Sequence, residues 1–140
     1  MTRLEAWLVH LGTLLVGGTG LVYAWMRYLA RPSDPFAVVN HAWQPQVQHL
    51  HVLLAPVLVF GAGLVWRRHV WACWRLGIRE RHRSGVALAL TLLPMIVSGY
   101  LIQVAVEPAW RRVWIWVHLA ASALWIGGYV LHQLLPRPQR

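Results

Sequence analysis

The stretch VWIWVHLAASALWIGGYVLHQLL, residues 113–135, decides the fold of this chain. It has 23 residues, none of them Asp, Glu, Lys or Arg, and Pro136 follows it. Because about 20 apolar residues in a helix cross the hydrocarbon core of a bilayer, this stretch predicts a transmembrane helix. Two histidines, His118 and His132, lie inside it. The sequence therefore predicts a membrane-spanning helix that carries two imidazoles.

Three further apolar stretches, at about residues 4–29, 47–66 and 84–106, are also long enough to cross a membrane. The helix of the second stretch is expected to continue amphipathically toward Gly77. Little sequence remains for a soluble domain. We therefore predict an all-α integral membrane protein, a four-transmembrane-helix bundle that forms a single membrane domain over residues 1–140.

The composition agrees with this class and excludes others. Hydrophobic residues make up 58% of the chain and charged residues 12%, about half the charged share of a soluble globular protein. The net charge of +9 comes from arginines at the ends of apolar stretches, where they are typical of membrane flanks and not of a nucleic-acid surface. A single cysteine, Cys73, excludes a disulfide framework and a multi-thiolate metal site.

The arginines also predict an orientation in the membrane. Nine of them fall on one side of the predicted spans and four on the other, and the richer side of a membrane protein is normally cytoplasmic. We therefore expect both termini and the loop at 67–83 to be cytoplasmic. The nine are Arg3, Arg67, Arg68, Arg75, Arg79, Arg81, Arg83, Arg137 and Arg140.

The spacing of His118 and His132 is the most informative feature. They are 14 residues apart, and on a helix this spacing amounts to ~1400° of rotation and a rise of ~21 Å. The two imidazoles therefore project from nearly one face, toward opposite leaflets. A single intramembrane histidine is often explained by a hydrogen bond to a neighbouring helix, whereas a pair at this spacing favours a functional site.

Counting depth from the ends of the spans gives each of these histidines a partner. His10 lies near the cytoplasmic end of the first span, at the depth of His132. His51 lies near the outer end of the second span, at the depth of His118. We therefore predict two pairs of imidazoles, His10–His132 and His51–His118.

The second span holds two alternative ligands. His49 precedes His51 by two positions, about 200° around a helix, so only one of them can face the bundle, and His51 is the deeper. His69 lies 18 residues beyond His51, five full turns, and therefore shares its face. It lies about one turn beyond the depth of His132, which makes it the second choice for the inner pair.

Two imidazoles at each depth favour haem b as the cofactor. Zinc takes three or four ligands, and a proton relay usually recruits buried carboxylates, which these spans lack. Haem b needs two trans imidazoles, an apolar slot and room for a flat macrocycle. Gly17 follows His10 by seven positions, and Ala55 and Ala62 follow His51 by four and eleven, although singly such residues are common packing contacts. The predicted axial ligands of the iron in two haem b groups are His10, His51, His118 and His132.

This arrangement resembles the di-haem cytochrome b membrane subunits of respiratory formate dehydrogenases and nickel–iron hydrogenases, within the four-helix cytochrome b superfamily. The spacing of His118 and His132 is similar to the fourth-helix ligand pair of that family. Thr19-Gly20 in the first span and Ser98-Gly99 in the third are similar to its short small-residue motifs. The resemblance covers nearly the whole chain, which is shorter than most of those subunits. It implies that the first, second and fourth helices supply the haem ligands.

The resemblance also implies a function and partners. The chain would be a non-catalytic electron-transfer subunit of a hetero-oligomeric oxidoreductase complex, multi-pass in the bacterial inner (cytoplasmic) membrane. It would link a quinone pool, with a quinone near His10 and His132, to a periplasmic or membrane redox partner such as a c-type cytochrome or a dehydrogenase. Lipid contact is expected and nucleic acid is not. Two alternatives remain, a haem-free membrane anchor or scaffold and a stand-alone transmembrane reductase.

Overall fold

The structure, a computed structural model, describes residues 2–32, 34–77 and 82–134. Within these ranges it is all-helical and has no strand, and four helices are long and apolar enough to cross a membrane. This confirms the predicted fold class. The cytoplasmic placement of the termini and the single domain stay predictions. Residue 135 of the predicted fourth span and Pro136 lie outside the described ranges, as do four of the nine arginines, Arg79, Arg81, Arg137 and Arg140.

Two helical hairpins make up the chain. It divides into two compact units, Met1–His69 and Val70–Arg140, and each contains two long helices packed against each other. We call these the first hairpin and the second hairpin. The helices are α1 (Arg3–Tyr28), α2 (Gln44–Val65), α3 (Trp71–Arg75), α4 (His82–Val104) and α5 (Pro108–Leu134).

The start of α1 is fixed by a capping box. The Thr2 hydroxyl accepts from the backbone N–H of Glu5 at 3.2 Å, and the Glu5 carboxylate accepts from the backbone N–H of Thr2 at 2.8 Å. Two of the four N–H groups that a helix start leaves unpaired are satisfied in this way. At the other end of α1, the Asn40 side chain donates to the carbonyl of Arg27 at 2.8 Å and ties the connecting loop to the helix.

Small residues let α1 and α2 approach closely. A Cβ at Gly12 would lie 3.1 Å from Cα of Leu58, and one at Gly61 would lie 3.3 Å from the carbonyl carbon of Leu8. Leu58 is only 4% exposed, and burial of such a side chain contributes about 1.5–3 kcal/mol where the alternative is water. The glycines therefore set the register and the separation of the first hairpin.

The second hairpin turns within residues 105–107. Helix α5 begins at Pro108, five residues before the predicted start of the fourth span at 113. Proline suits the first turn of a helix because its missing N–H has no intrahelical partner there. The Glu107 carboxylate accepts from the backbone N–H of Trp110 at 2.9 Å and satisfies another unpaired donor. The polar start of α5 is thus a capped helix end and not part of a loop.

Helix α2 does not stop at Arg67-Arg68. It passes through one π-helical turn, Trp66–Val70, and continues as α3 up to Arg75. Gly77 then takes a positive φ of 62°, which terminates the helical run in a conformation that glycine adopts without strain. The expected continuation of the second span toward Gly77 is therefore confirmed, and it includes a π turn that hydropathy does not predict.

The outward faces of the long helices are apolar. Leu14 on α1, Phe60 on α2, Leu90 on α4 and Leu124 on α5 are each more than 60% exposed. Water does not favour such surfaces, whereas lipid or another apolar helix does. Together with the length of the helices, this indicates a multi-pass membrane protein in contact with lipid.

Candidate functional site

His51 lies on α2 with its imidazole against α1. Its Nδ1 is 3.0 Å from the carbonyl oxygen of Val16 and 3.2 Å from the Thr19 hydroxyl oxygen. The Thr19 hydroxyl donates to the carbonyl of Leu15, one turn earlier on its own helix, at 2.7 Å. The ring of His51 is thus held by a carbonyl and a hydroxyl oxygen of the neighbouring helix.

His118 on α5 is held in the same way by α4. Its Nδ1 is 3.0 Å from the carbonyl oxygen of Met95 and 3.2 Å from the Ser98 hydroxyl oxygen. The Ser98 hydroxyl donates to the carbonyl of Pro94 at 2.6 Å, and Ser98 is fully buried. The two hairpins therefore repeat one arrangement, in which the carbonyl comes from the residue three positions before the hydroxyl residue.

These contacts determine the tautomer of both histidines. A backbone carbonyl can only accept, so the Nδ1 that lies 3.0 Å from it must carry a proton. In a neutral imidazole the lone pair is then on Nε2. His51 and His118 are therefore both arranged as Nδ1–H donors, with the lone pair of the ring on Nε2. Histidine ligands of metals typically have this arrangement, in which the second ring nitrogen donates to a carbonyl or carboxylate.

His132 is also held by a serine of α4. Its Nδ1 is 3.0 Å from the hydroxyl oxygen of Ser84, which is buried. The carbonyl that corresponds to that of Met95 would belong to Arg81, which lies outside the described residues. All three histidines thus have a Ser or Thr of the adjacent helix beside Nδ1.

A single register between α4 and α5 accounts for both serine–histidine contacts. Ser84 and Ser98 are 14 residues apart, as are His118 and His132, so the antiparallel helices bring the earlier serine to the later histidine. Ser84 is absent from the predicted site. The signal that identifies it is the repeat of the Ser-Gly dipeptide at 84–85 and at 98–99.

A glycine follows each of the three hydroxyl residues and lies beside the histidine ring. Gly20 is adjacent to the ring of His51, and Gly99 is adjacent to that of His118. Gly85 stands in the same place near His132. In each case a Cβ added at the glycine would have Cε1 of the imidazole as its nearest neighbour. The small-residue motifs of the sequence are therefore contact surfaces for histidine rings.

The other predicted ligands differ in their surroundings. His10 is half-buried on α1, and its ring lies edge-on to that of Trp7 with centroids 6.3 Å apart. His49 is exposed and makes no hydrogen bond to any described residue, so His51 is the histidine of this pair that faces α1. Each predicted pair takes one histidine from each hairpin, so both pairs stay predictions.

His69 lies in the π-helical turn and is half-buried. The prediction that it shares the face of His51 requires an uninterrupted α-helix between them. A π turn closes its hydrogen bond one residue later than an α turn, which shifts the following residues by up to about 100°. Because His69 lies inside this turn, the 18-residue spacing alone does not determine its face relative to that of His51.

Two buried polar atoms have no hydrogen-bond partner among the described residues, Oγ1 of Thr13 on α1 and Nε1 of Trp125 on α5. Both residues are only 6% exposed. Trp125 is seven residues from His118 and seven from His132, so all three lie within about 40° of one helix face. Buried donors without a partner are rare, and they mark places where a further group can bind.

A cleft of about 340 Å³ lies at the end of the first hairpin. Its main polar feature is an ion pair at 3.1 Å between the buried carboxylate of Glu5 and the guanidinium of Arg68. Because Glu5 also caps α1, its carboxylate has a structural role. The cleft is lined by Glu5, Gly63, Leu64, Arg67 and Arg68.

Within the described ranges, no three His, Cys, Asp or Glu side chains are grouped so that they could hold a metal ion by themselves. A centre that takes two protein nitrogens, as haem b does, is of a different kind. Comparison with protein-family models, with curated proteins and with solved structures finds no match to this chain.

Proposed function

We propose that this chain is a di-haem b cytochrome subunit that transfers electrons across a membrane. The residues that would hold the two haem irons are His10, His51, His118 and His132. On the depths counted from the sequence, His51 and His118 share one haem, and His10 and His132 share the other. The chain links a quinone pool to a redox partner on the outer face, within a larger complex of a bacterial inner membrane.

The observation that carries the proposal is the tautomer of the His51 and His118 imidazoles. Each presents Nε2 as the nitrogen with a lone pair, because Nδ1–H is donated to a backbone carbonyl at 3.0 Å. Imidazole in this tautomer, with its second nitrogen bonded to the protein, is the form that binds iron in haem proteins. An intramembrane histidine with only a packing role does not need this orientation in both hairpins.

The residues of the chain also suit the polarity of haem b. Trp125 has an unpartnered, buried N–H on the face that carries His118 and His132. The apolar exterior of all four long helices suits a macrocycle whose faces are apolar. The described residues therefore provide imidazoles, an orphaned donor and an apolar setting.

Haem b supplies a reversible one-electron oxidation and reduction when it is bound. The protein holds the imidazoles in position through α1 and α4, and its apolar side chains exclude water. Each haem would be held by two imidazoles of the chain, so it would supply electron transfer and not a binding position for a substrate. The chain is therefore an electron carrier, and catalysis belongs to its partners.

The test is the absorbance of the protein purified in detergent. A reduced-minus-oxidised spectrum with the α-band of haem b and two haems per chain is expected. His118→Ala and His132→Ala should each remove one haem and retain the other, and the exposed His49→Ala should retain both. A colourless wild-type protein, or two haems in either His118→Ala or His132→Ala, would overturn the proposal.

A haem-free membrane anchor is the second candidate. It is favoured by the hydrogen bonds of His51 to Thr19 and of His118 to Ser98, which join neighbouring helices as a purely structural histidine would. In that case the purified protein is colourless, and replacing His51 or His118 by Gln lowers thermal stability without any change in absorbance.

A further inference from the structure

We infer that Thr19 and Ser98 are positioning residues that set the reduction potential of one haem through the histidines they hold. Thr19 acts on His51, and Ser98 acts on His118. This inference rests on the proposed function and extends it, since it names the residues that tune the proposed cofactor.

The hydroxyl groups are fixed as acceptors for the imidazoles. Ser98 donates its proton to the carbonyl of Pro94 at 2.6 Å, and Thr19 donates its proton to the carbonyl of Leu15 at 2.7 Å. A hydroxyl has one proton, so each oxygen offers only lone pairs to the histidine. The N–H at Nδ1 of each ring is therefore shared between a hydroxyl oxygen and a carbonyl oxygen.

Burial makes the hydroxyl contact effective. Ser98 is fully buried, so no water competes with its oxygen for the N–H of His118. In a setting of low polarity a hydrogen bond is electrostatically stronger than in water, and linked hydrogen bonds polarise one another. The chain from Pro94 through Ser98 to His118 is linked in this way.

These hydrogen bonds are expected to change the reduction potential of the haem in a definite direction. An imidazole whose N–H is donated to strong acceptors gains electron density at Nε2, which makes it a better donor to a metal. A stronger axial donor stabilises the ferric state relative to the ferrous state, so it lowers the reduction potential. Removal of either hydroxyl should therefore raise the potential. Because His51 and His118 are proposed to share one haem, both substitutions should affect the same haem.

A hydroxyl that only packs helices together would not have this effect. Thr91 provides the matched control on α4. Its hydroxyl donates to the carbonyl of Ala87 at 2.8 Å, in the same back-bonded geometry as Ser98, and it is hydrogen-bonded to no histidine among the described residues. Thr91→Val therefore removes an equivalent hydroxyl without touching a proposed ligand.

The experiment is a redox titration of the purified full-length protein in detergent, with Thr19→Val, Ser98→Ala, the double variant and Thr91→Val. Haem content, the midpoint potential of each haem and the electron paramagnetic resonance spectrum of the ferric form are measured. We expect two haems per chain in every variant. The potential of one haem should be more positive in each single variant and further shifted in the double variant. Thr91→Val should be unchanged.

A conservative variant distinguishes the hydroxyl from the packing. Thr19→Ser keeps an oxygen at the same position without adding an atom, and it should keep the wild-type potential and resonance spectrum. If Thr19→Ser shifts the potential as much as Thr19→Val does, or if Thr19→Val and Ser98→Ala leave both measurements unchanged in a protein with two haems, the inference is wrong while the proposed function stands. A colourless wild-type protein overturns both.

Discussion

A Cβ at Gly20 would lie 2.9 Å from Cε1 of His51. Carbon atoms do not approach this closely without a shift of the ring or the backbone, so the imidazole occupies space that any other residue at position 20 would fill. The corresponding distance is 3.2 Å between Gly99 and His118. It is 3.8 Å between Gly85 and His132, an ordinary van der Waals contact. The ring of His51 is thus the closest to its neighbouring helix, that of His118 is intermediate, and that of His132 is the farthest.

Alanine substitutions at these glycines should follow the same gradation. Gly20→Ala should displace the ring of His51 and cost about 1–3 kcal/mol, the usual range for overpacking. Gly99→Ala should have a smaller effect and Gly85→Ala almost none. Haem content and the thermal unfolding midpoint of the purified protein measure the series.

Gly18→Ala is the control, since a Cβ there meets no atom within 4 Å outside its own helix. It should leave haem content unchanged and raise the helix propensity of α1 by about 1 kcal/mol. An equal loss of haem in Gly85→Ala and Gly20→Ala would show that contact distance does not determine the effect.

The assignment of the second-span ligand can be tested by three single substitutions. His51→Ala should remove one haem, because His51 is the histidine whose Nδ1 is bonded to α1. His49→Ala should retain both haems because His49 is exposed. His69→Ala should also retain both, since His69 lies about one turn beyond the depth of His132. The number of haems per chain in each variant identifies the ligand. A haem lost in His69→Ala but retained in His51→Ala would assign the ligand to His69.

The capping box of α1 predicts a stability difference. Thr2→Ala should destabilise the first hairpin by about 1 kcal/mol, the typical cost of removing an N-cap side chain. Glu5→Ala should lower the unfolding midpoint further, because it removes the buried carboxylate from both the cap and the ion pair. Arg68→Ala should change it little, since the Arg68 side chain is 55% exposed and such pairs are screened by solvent. Thermal unfolding in detergent measures all three, and a large effect of Arg68→Ala alone would contradict this ranking.

Two substitutions of Trp125 distinguish the contribution of its aromatic ring to stability from that of its indole N–H. Trp125→Ala should cost about 3–5 kcal/mol because it leaves a large cavity in the second hairpin. Trp125→Phe keeps most of the ring and removes a donor that has no partner among the described residues, so unfolding in the absence of a cofactor should change far less. If the two variants lose equal stability, the indole N–H has a partner that α4 and α5 do not provide.

The four helices were predictable because length and apolar content alone decide whether a segment can span a membrane. The residues at which the helices begin and end were less predictable from the sequence. The start of α5 at Pro108 depends on the carboxylate of Glu107 reaching the N–H of Trp110, which is a local contact and not a hydropathy signal. The π turn depends on a shift of one backbone hydrogen bond, for which WRRHV carries no composition signal.

The histidines were predictable and their partners only in part. A polar ring in an apolar span is visible in any sequence, so His51, His118 and His132 stand out. The contact of Ser84 with His132 depends on the register of two antiparallel helices, which side-chain packing sets. The equal spacing of Ser84 to Ser98 and of His118 to His132 becomes informative only once that register is known.

The π turn at Trp66–Val70 determines how this helix would respond to the loss of one residue. Such a turn accommodates one residue more than an α-helix of the same length. Deletion of Arg67 would therefore let the backbone of this turn relax to uninterrupted α geometry. A deletion one turn earlier, inside α2, has no π turn to absorb it and would rotate the helical residues that follow it by about 100°. The chain thus holds a site where the loss of one residue is absorbed locally.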